Sequence, residues 1–140
     1  MDINSNCLQF TSHRIRRYQP FMKKVNILEI IEFEEQGFDS IGLNYLLHCL
    51  PDTMANKEVV FKNILPLLNP GGIVFGSTIL SKGVKPNFLA RYLMNVYNEK
   101  GIFRNKQDNL EALQKNLANN FSENSVQVIG CVALFWAKNK

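Results

Sequence analysis

Residues 38–78 read FDSIGLNYLLHCLPDTMANKEVVFKNILPLLNPGGIVFGST. Phe38–Asn44 reads as a buried strand. Residues 55–68 read as an amphipathic helix with Val60, Ile64, Leu67 and Leu68 on its buried face. Asn69-Pro70-Gly71-Gly72 stops that helix, because glycine enters the left-handed region freely and proline cannot continue a helix. Ile73–Ile79 is the next apolar, β-rich run. Strand, helix, strand makes a βαβ unit, and a helical crossover requires the two strands to be parallel.

Working outward, Val126–Ile129 and Cys131–Ala137 are two β-rich runs separated by Gly130 alone. So short a link excludes a crossover and predicts an antiparallel hairpin. The run CVALFWA lacks alternation, which predicts a strand covered on both faces. Between the βαβ unit and the hairpin, residues 86–99 predict a helix with Phe88, Leu89, Tyr92, Leu93 and Val96 on one face. Residues 108–120 predict another, started by Asp108. On the N-terminal side, residues 5–18 predict a helix capped by Ser5, with Leu8, Thr11, Ile15 and Tyr18 on one face. MKKVNILEII at residues 22–31 predicts a short strand, and the acidic EFEEQG after it a loop. The result is an α/β fold with an antiparallel edge, in a single domain over residues 1–140.

Composition narrows the function class. Hydrophobic residues make up 46% and charged residues 20% of the chain, the balance of a globular domain. No apolar run reaches the roughly 18 residues a membrane helix needs. The N-terminus MDINSNCLQF lacks a signal-peptide pattern, so a cytoplasmic location and no membrane partner are expected. The 3 cysteines are scattered without a CxxC, which predicts neither a disulfide framework nor a metal site. The net charge is +4, and Arg14, Arg16, Arg17, Lys23 and Lys24 concentrate it near the N-terminus. No aromatics are interleaved for base stacking, so a solvated surface is expected there rather than a nucleic-acid interface. His48 reads as a structural histidine rather than a catalytic base, and no residue is assigned a catalytic role.

A parallel βα series closed by a hairpin resembles the class I methyltransferases that use S-adenosylmethionine (SAM). Phe38-Asp39-Ser40-Ile41 is similar to that family's entry into its fourth strand, and Asn44–Pro51 to the exit from it. Leu67–Gly72 resembles its Leu-Lys-Pro-Gly-Gly turn, with Asn69 at the usual lysine. Met1-Asp2-Ile3-Asn4 resembles the end of the second strand. There an acidic residue accepts from both ribose hydroxyls, a task suited to an acceptor-only carboxylate. The resemblance implies a Rossmann-like methyltransferase sandwich with a mostly parallel sheet and a C-terminal antiparallel hairpin. It implies SAM as cofactor and a small-molecule methyl acceptor. It also implies SAM-binding roles for Asp2 at the ribose, Asn26 and Ile27 at the adenine, and Asn44 and Tyr45 on the methionine and substrate side. The segment around residues 81–99 would cover the substrate side.

The family's first strand and its E-x-G-x-G-x-G turn have no counterpart among the glycines of this chain. The resemblance therefore implies an N-terminally truncated domain. In the family's strand order, 3-2-1-4-5-7-6, that loss leaves strand four without a neighbour and exposes an unpaired edge. One expectation is then that the chain is part of a longer product. Alternatively, residues 24–29 would pair in parallel with residues 39–44, or a homo-oligomer or partner chain would supply the missing strands. In the last case the chain would be a non-catalytic α/β module, a pseudoenzyme or subunit, instead of an enzyme.

Overall fold

A computed structural model describes residues 1–33 and 37–140. The centre of the acidic loop, residues 34–36, lies outside the described residues. Helix α1 (Ser5–Arg14) is followed by strand β1 (Phe38–Asn44), helix α2 (Glu58–Ile64) and strand β2 (Leu68–Ile79). Helices α3 (Phe88–Glu99) and α4 (Leu110–Asn120) precede strands β3 (Glu123–Ile129) and β4 (Val132–Lys138). The sheet order is β1-β2-β4-β3. β1 and β2 are parallel, as the βαβ reading requires, while β4 runs antiparallel to both β2 and β3.

The parallel part of the sheet is thus a single pair, because residues 22–31 do not form a strand. They make one parallel bridge, Lys24 to Asp2, and then turn. Val25 N–H donates to Asp2 C=O at 3.0 Å, and Glu29 N–H to Asn26 C=O at 3.1 Å. A ladder propagates only along a partner, and the described partner ends after Ile3. Residues 24–29 do not pair with residues 39–44, so the repacked arrangement is excluded. The other edge of β1 is open among the described residues.

The Asn-Pro-Gly-Gly stretch does not end the helix expected over residues 55–68; it lies inside β2. α2 ends at Ile64, and a 3-10 turn over Leu65–Leu67 leads directly into β2. The ladder pairs Phe38 with Leu68 and then Ser40 with Ile73, so residues 69–72 form a bulge inside the strand, with Gly71 at φ 74. Asn139 holds the bulge, its side chain donating to Leu68 C=O and Asn69 C=O at 3.2 and 3.1 Å. Further along, a Cβ on Gly76 would lie 2.3 Å from Leu43 C=O, so only glycine lets β1 and β2 approach as they do.

α2 and α4 cover one face of the sheet. Val60, Phe61, Ile64, Leu113 and Leu117 pack there on Val74, Ala133, Phe135 and Ala137. Phe61 meets Phe121 and Phe135 edge-on, with 6.1 Å between centroids in each pair. No described element covers the opposite face. β4 alternates buried Ala133, Phe135 and Ala137 with exposed Leu134 and Trp136, so the double coverage expected of CVALFWA is not present. α1 buries no residue at all, and α3 buries only Met94, leaving Phe88, Leu89, Tyr92 and Leu93 in solvent. The helical spacing holds in α3, while α1 ends at Arg14 and leaves Ile15 and Tyr18 of its expected face outside it; no described element lies opposite the apolar face of either helix.

The starts of α1, α3 and α4 are set by asparagine. Asn4, Asn87 and Asn109 accept from Asn6, Ala90 and Ala112 N–H, and Asn4 and Asn109 take the role expected of Ser5 and Asp108. Asp108 is instead fully buried and bonds Lys57 Nζ through both oxygens, at 2.9 and 2.7 Å. The third ammonium proton goes to Arg104 C=O at 3.2 Å. Burial pushes the Asp108 carboxyl up, and Lys57 pulls it back down. Replacing one partner strands a charge in an apolar environment. Lys57→Met is therefore expected to cost about 3–5 kcal/mol in urea unfolding. The double variant Lys57→Met/Asp108→Leu is expected to recover most of that loss, since no unpaired charge remains.

Candidate functional site

The carboxyl ends of parallel strands are where α/β folds place ligands. β1 reaches that end at Asn44. Tyr45 N–H donates to Ser77 C=O at 2.8 Å, which extends the ladder by one residue. Tyr45 then adopts φ 54, a left-handed conformation costly for a bulky side chain. This sharp turn sends residues 46–51 back across the strand end, where Leu47–Cys49 form a 3-10 turn.

A cavity of about 410 Å³ lies between this returning segment and the Asp2–Lys24 bridge. Asp2, Asn26 and Ile27 line it on one side, with Met1, Ile3, Val25 and Leu28. Leu46, Cys49, Leu50 and Pro51 line the other. Three of the five residues expected to bind cofactor therefore converge on one cavity. Asn44 and Tyr45 are not among its lining residues, and both are exposed at the strand end. The left-handed turn at Tyr45 makes Leu46 the first residue of that wall.

The polar groups of the cavity differ in availability. Asp2 Oδ1 accepts from Asn4 N–H at 2.8 Å, leaving its second oxygen without a donor among the described residues. The Asn26 side chain is committed locally. Its Oδ1 accepts from Leu28 N–H at 3.2 Å, and its Nδ2 donates to Glu29 at 2.7 Å. It thus shapes the turn instead of reaching into the cavity. Ile27 N–H meets no acceptor among the described residues, while Ile27 C=O accepts from Asn63 Nδ2 at 2.9 Å. Asn63, on α2, anchors this turn from 36 positions away, and no local sequence signal marks it. Burial raises the Cys49 thiol pKa, with Lys57 opposing, so the thiol has no nucleophilic bias. The cavity thus offers apolar walls, one backbone donor and one carboxylate with a free oxygen. It suits a flat, apolar group that carries hydroxyls.

His48 lies behind this wall. It is 2% exposed and packs edge-on against Tyr45 and Phe103, with centroids 5.8 and 4.6 Å away. Its Nδ1 accepts from Ile79 N–H at 3.4 Å, which assigns the remaining proton to Nε2. Burial, with a smaller contribution from Lys57, lowers its pKa from 6.5 to about 4. It is a neutral residue joining the exits of β1 and β2.

No family model matches the chain. Among curated proteins, it is 38% identical over 137 residues to demethylluteothin O-methyltransferase of Streptomyces thioluteus, covering 98% of this chain and 60% of that protein. It is 39% identical over 138 residues to a methyltransferase of Calcarisporium arbuscula, covering 99% of this chain and 60% of that protein. The chain thus spans about three fifths of the length of these relatives. Its fold matches the solved structure of an O-methyltransferase family protein from Burkholderia thailandensis with a TM-score of 0.70 at 16% identity. That match covers 99% of this chain and 42% of the other.

The depressed pKa of His48 has a definite consequence for stability. Between pH 6.5 and about 4 the unfolded chain binds a proton at this position that the folded chain refuses. Stability is therefore fully present above pH 6.5 and is lost as pH falls toward 4. Urea unfolding across that range is expected to show this loss. The slope is expected to flatten in His48→Gln, whose amide oxygen can still accept from Ile79 N–H without titrating.

Proposed function

We propose that this chain, which belongs to the class I SAM-dependent methyltransferase family, binds SAM with the adenosine in the cavity between Asp2 and Leu46. The observation that carries this reading is the convergence of Asp2, Asn26 and Ile27, the residues the resemblance implies for ribose and adenine, on one apolar cavity. The free oxygen of Asp2 accepts from the ribose hydroxyls. The unpaired Ile27 N–H meets an adenine ring nitrogen, and Asn26 holds that N–H in place through its turn. The apolar walls, Leu46 among them, flank the base. Asn44 and Tyr45, exposed at the end of β1, face the methionine and acceptor side.

Bound there, SAM supplies an activated methyl group, and the protein's part is to orient an acceptor in line with it. The acceptor in this reading is a hydroxyl on a small apolar molecule, consistent with the O-methylation named for the Streptomyces relative. The exposed face of α3, with Phe88, Leu89, Tyr92 and Leu93, is apolar enough to cover such a molecule. A cytoplasmic location belongs to the same reading. Among the described residues no helix is long and apolar enough to cross a membrane.

Calorimetric titration with S-adenosylhomocysteine tests the proposal. The chain is expected to bind, and Asp2→Ala to weaken binding by about tenfold or more, equivalent to roughly 1.4 kcal/mol. Glu123→Ala, on the far strand of the sheet, is expected to bind as the parent does. Equal affinity for the parent and Asp2→Ala would remove the ribose role.

A further inference from the structure

The surplus positive charge of the chain sits in one segment. Residues 81–107 hold six of its 16 basic residues, Lys82, Lys85, Arg91, Lys100, Arg104 and Lys106, against one of its 12 acidic ones, Glu99. That segment carries +5 where the whole chain carries +4, which leaves −1 for everything else. The five cations from Arg14 to Lys24 do not share in the surplus, because Asp2, Glu29, Glu32, Glu34 and Glu35 offset them within residues 1–37. Among the described residues the ion pairs are Lys57–Asp108, Lys62–Glu58 and Lys138–Glu123, so no carboxylate neutralises the six.

The segment closes the carboxyl ends of both parallel strands. Arg104 N–H donates to His48 C=O at 2.8 Å behind the end of β1. Ser81 and Lys82 N–H donate to Asp108 C=O, each at 3.0 Å, at the end of β2, and Lys82 Nζ donates to Gln107 Oε1. Lys82, Arg104 and Lys106 are exposed there. Aromatic rings accompany them. Tyr45, His48, Phe103 and Tyr97 meet edge-on in a row, with successive centroids 5.8, 4.6 and 5.0 Å apart, from the strand end into α3. A rim of one charge sign raises the local concentration of an anion.

The strand ends offer no free imidazole or carboxylate among the described residues. Over residues 44–49, 79–82 and 103–109 the one imidazole is His48 and the one carboxylate is Asp108. Ile79 N–H fills His48 Nδ1, and Lys57 donates to both oxygens of Asp108. A neutral alcohol attacking a sulfonium methyl there would build positive charge on its oxygen beside a cationic segment. A general base relieves such charge, and these residues supply none.

We infer that the acceptor is a conjugated, acidic hydroxyl, a phenol or enol, that binds as its oxyanion with Lys82, Arg104 and Lys106 as counter-charges. The inference rests on the methyltransferase reading and names the acceptor class for it. The oxyanion forms its O–C bond to the methyl carbon as the C–S bond breaks and that electron pair passes to sulfur. The negative charge of the acceptor and the positive charge of the sulfonium cancel, and no proton moves. A conjugated ring also suits the apolar face of α3 and the row from Tyr45 to Tyr97, which a small hydrophilic acid would leave unused.

4-Nitrophenol tests this without turnover, because its phenolate absorbs visible light and its phenol does not. In the presence of the 140-residue chain its ionisation midpoint is expected to move to lower pH, with the phenolate bound about tenfold tighter than the phenol. The double variant Lys82→Met/Arg104→Met is expected to lose most of that preference. Arg104 holds its neighbours through its backbone, so the fold survives the change, and unaltered urea unfolding verifies it. Lys115→Met, which removes an exposed charge from α4, is expected to keep the preference.

A midpoint that does not move, or that moves as far with the double variant, overturns the inference. So does an equal loss in Lys115→Met, since net charge alone would then account for the shift. S-adenosylhomocysteine binding is measured alongside by calorimetry. Neither Lys82 nor Arg104 lines the cavity, so the double variant is expected to bind it as the parent does. A lowered midpoint without S-adenosylhomocysteine binding supports the cationic acceptor side and removes the cofactor reading. Binding with an unmoved midpoint does the reverse.

Discussion

The end of the sheet that carries the candidate site depends on one buried ion pair. Lys57 and Asp108 are both withdrawn from water, and every proton of the ammonium is used, two on the carboxylate and one on Arg104 C=O. Such a pair is worth little relative to apolar packing, but it tolerates no displacement. The constraint spreads from there. Asp108 C=O accepts from Ser81 and Lys82 N–H, which fixes the exit of β2. Arg104 N–H donates to His48 C=O at 2.8 Å, which fixes the segment returning from β1. Asn105 adds a bond from its side chain to Ile79 C=O. Both parallel strands therefore end against the same loop. The cavity wall from Leu46 to Pro51 takes its position from groups that never touch the cavity.

The parts of the fold that were readable in the sequence are those encoded locally. The Gly130 turn, at φ 65, demands a backbone conformation that few residues supply, so its position shows in the chain itself, whereas the Asn-Pro-Gly-Gly run marks a break in the chain that reads as a helix stop and is a bulge inside β2. The helical periods were visible for the same reason. Lys57 and Asp108 lie 51 residues apart, and Asp108 stands where a helix-starting acid would stand. Its burial depends on packing that the local pattern does not record. The strand at residues 22–31 failed for a related reason. Its β-branched residues give a propensity, but a strand exists only with a neighbour to pair with.

The same distinction divides the site. Asp2, Asn26 and Ile27 lie at chain positions where sequence and location coincide, and the cavity gathers them. At Asn44 and Tyr45 the strand end was readable but the direction of the chain after it was not. A tyrosine at φ 54 is not foreseeable from residue type, and it hands the wall to Leu46 and Leu50. Asn63 was invisible for the opposite reason. An exposed-looking polar residue on a helix gains its role only through the turn at Ile27 that it supports.

The cavity lies between the Asp2–Lys24 bridge and the segment that returns from the end of β1. One of its walls is held to the rest of the fold mainly by the Asn63 bond and the packing of residues 25–33, because among the described residues a single bridge is the sheet pairing there. A ligand touching both walls would order the weakly held one. Whatever else orders that wall raises the ligand's affinity by the same factor, since coupling between two binding events is reciprocal. A half-held wall is the physical condition that makes such coupling large.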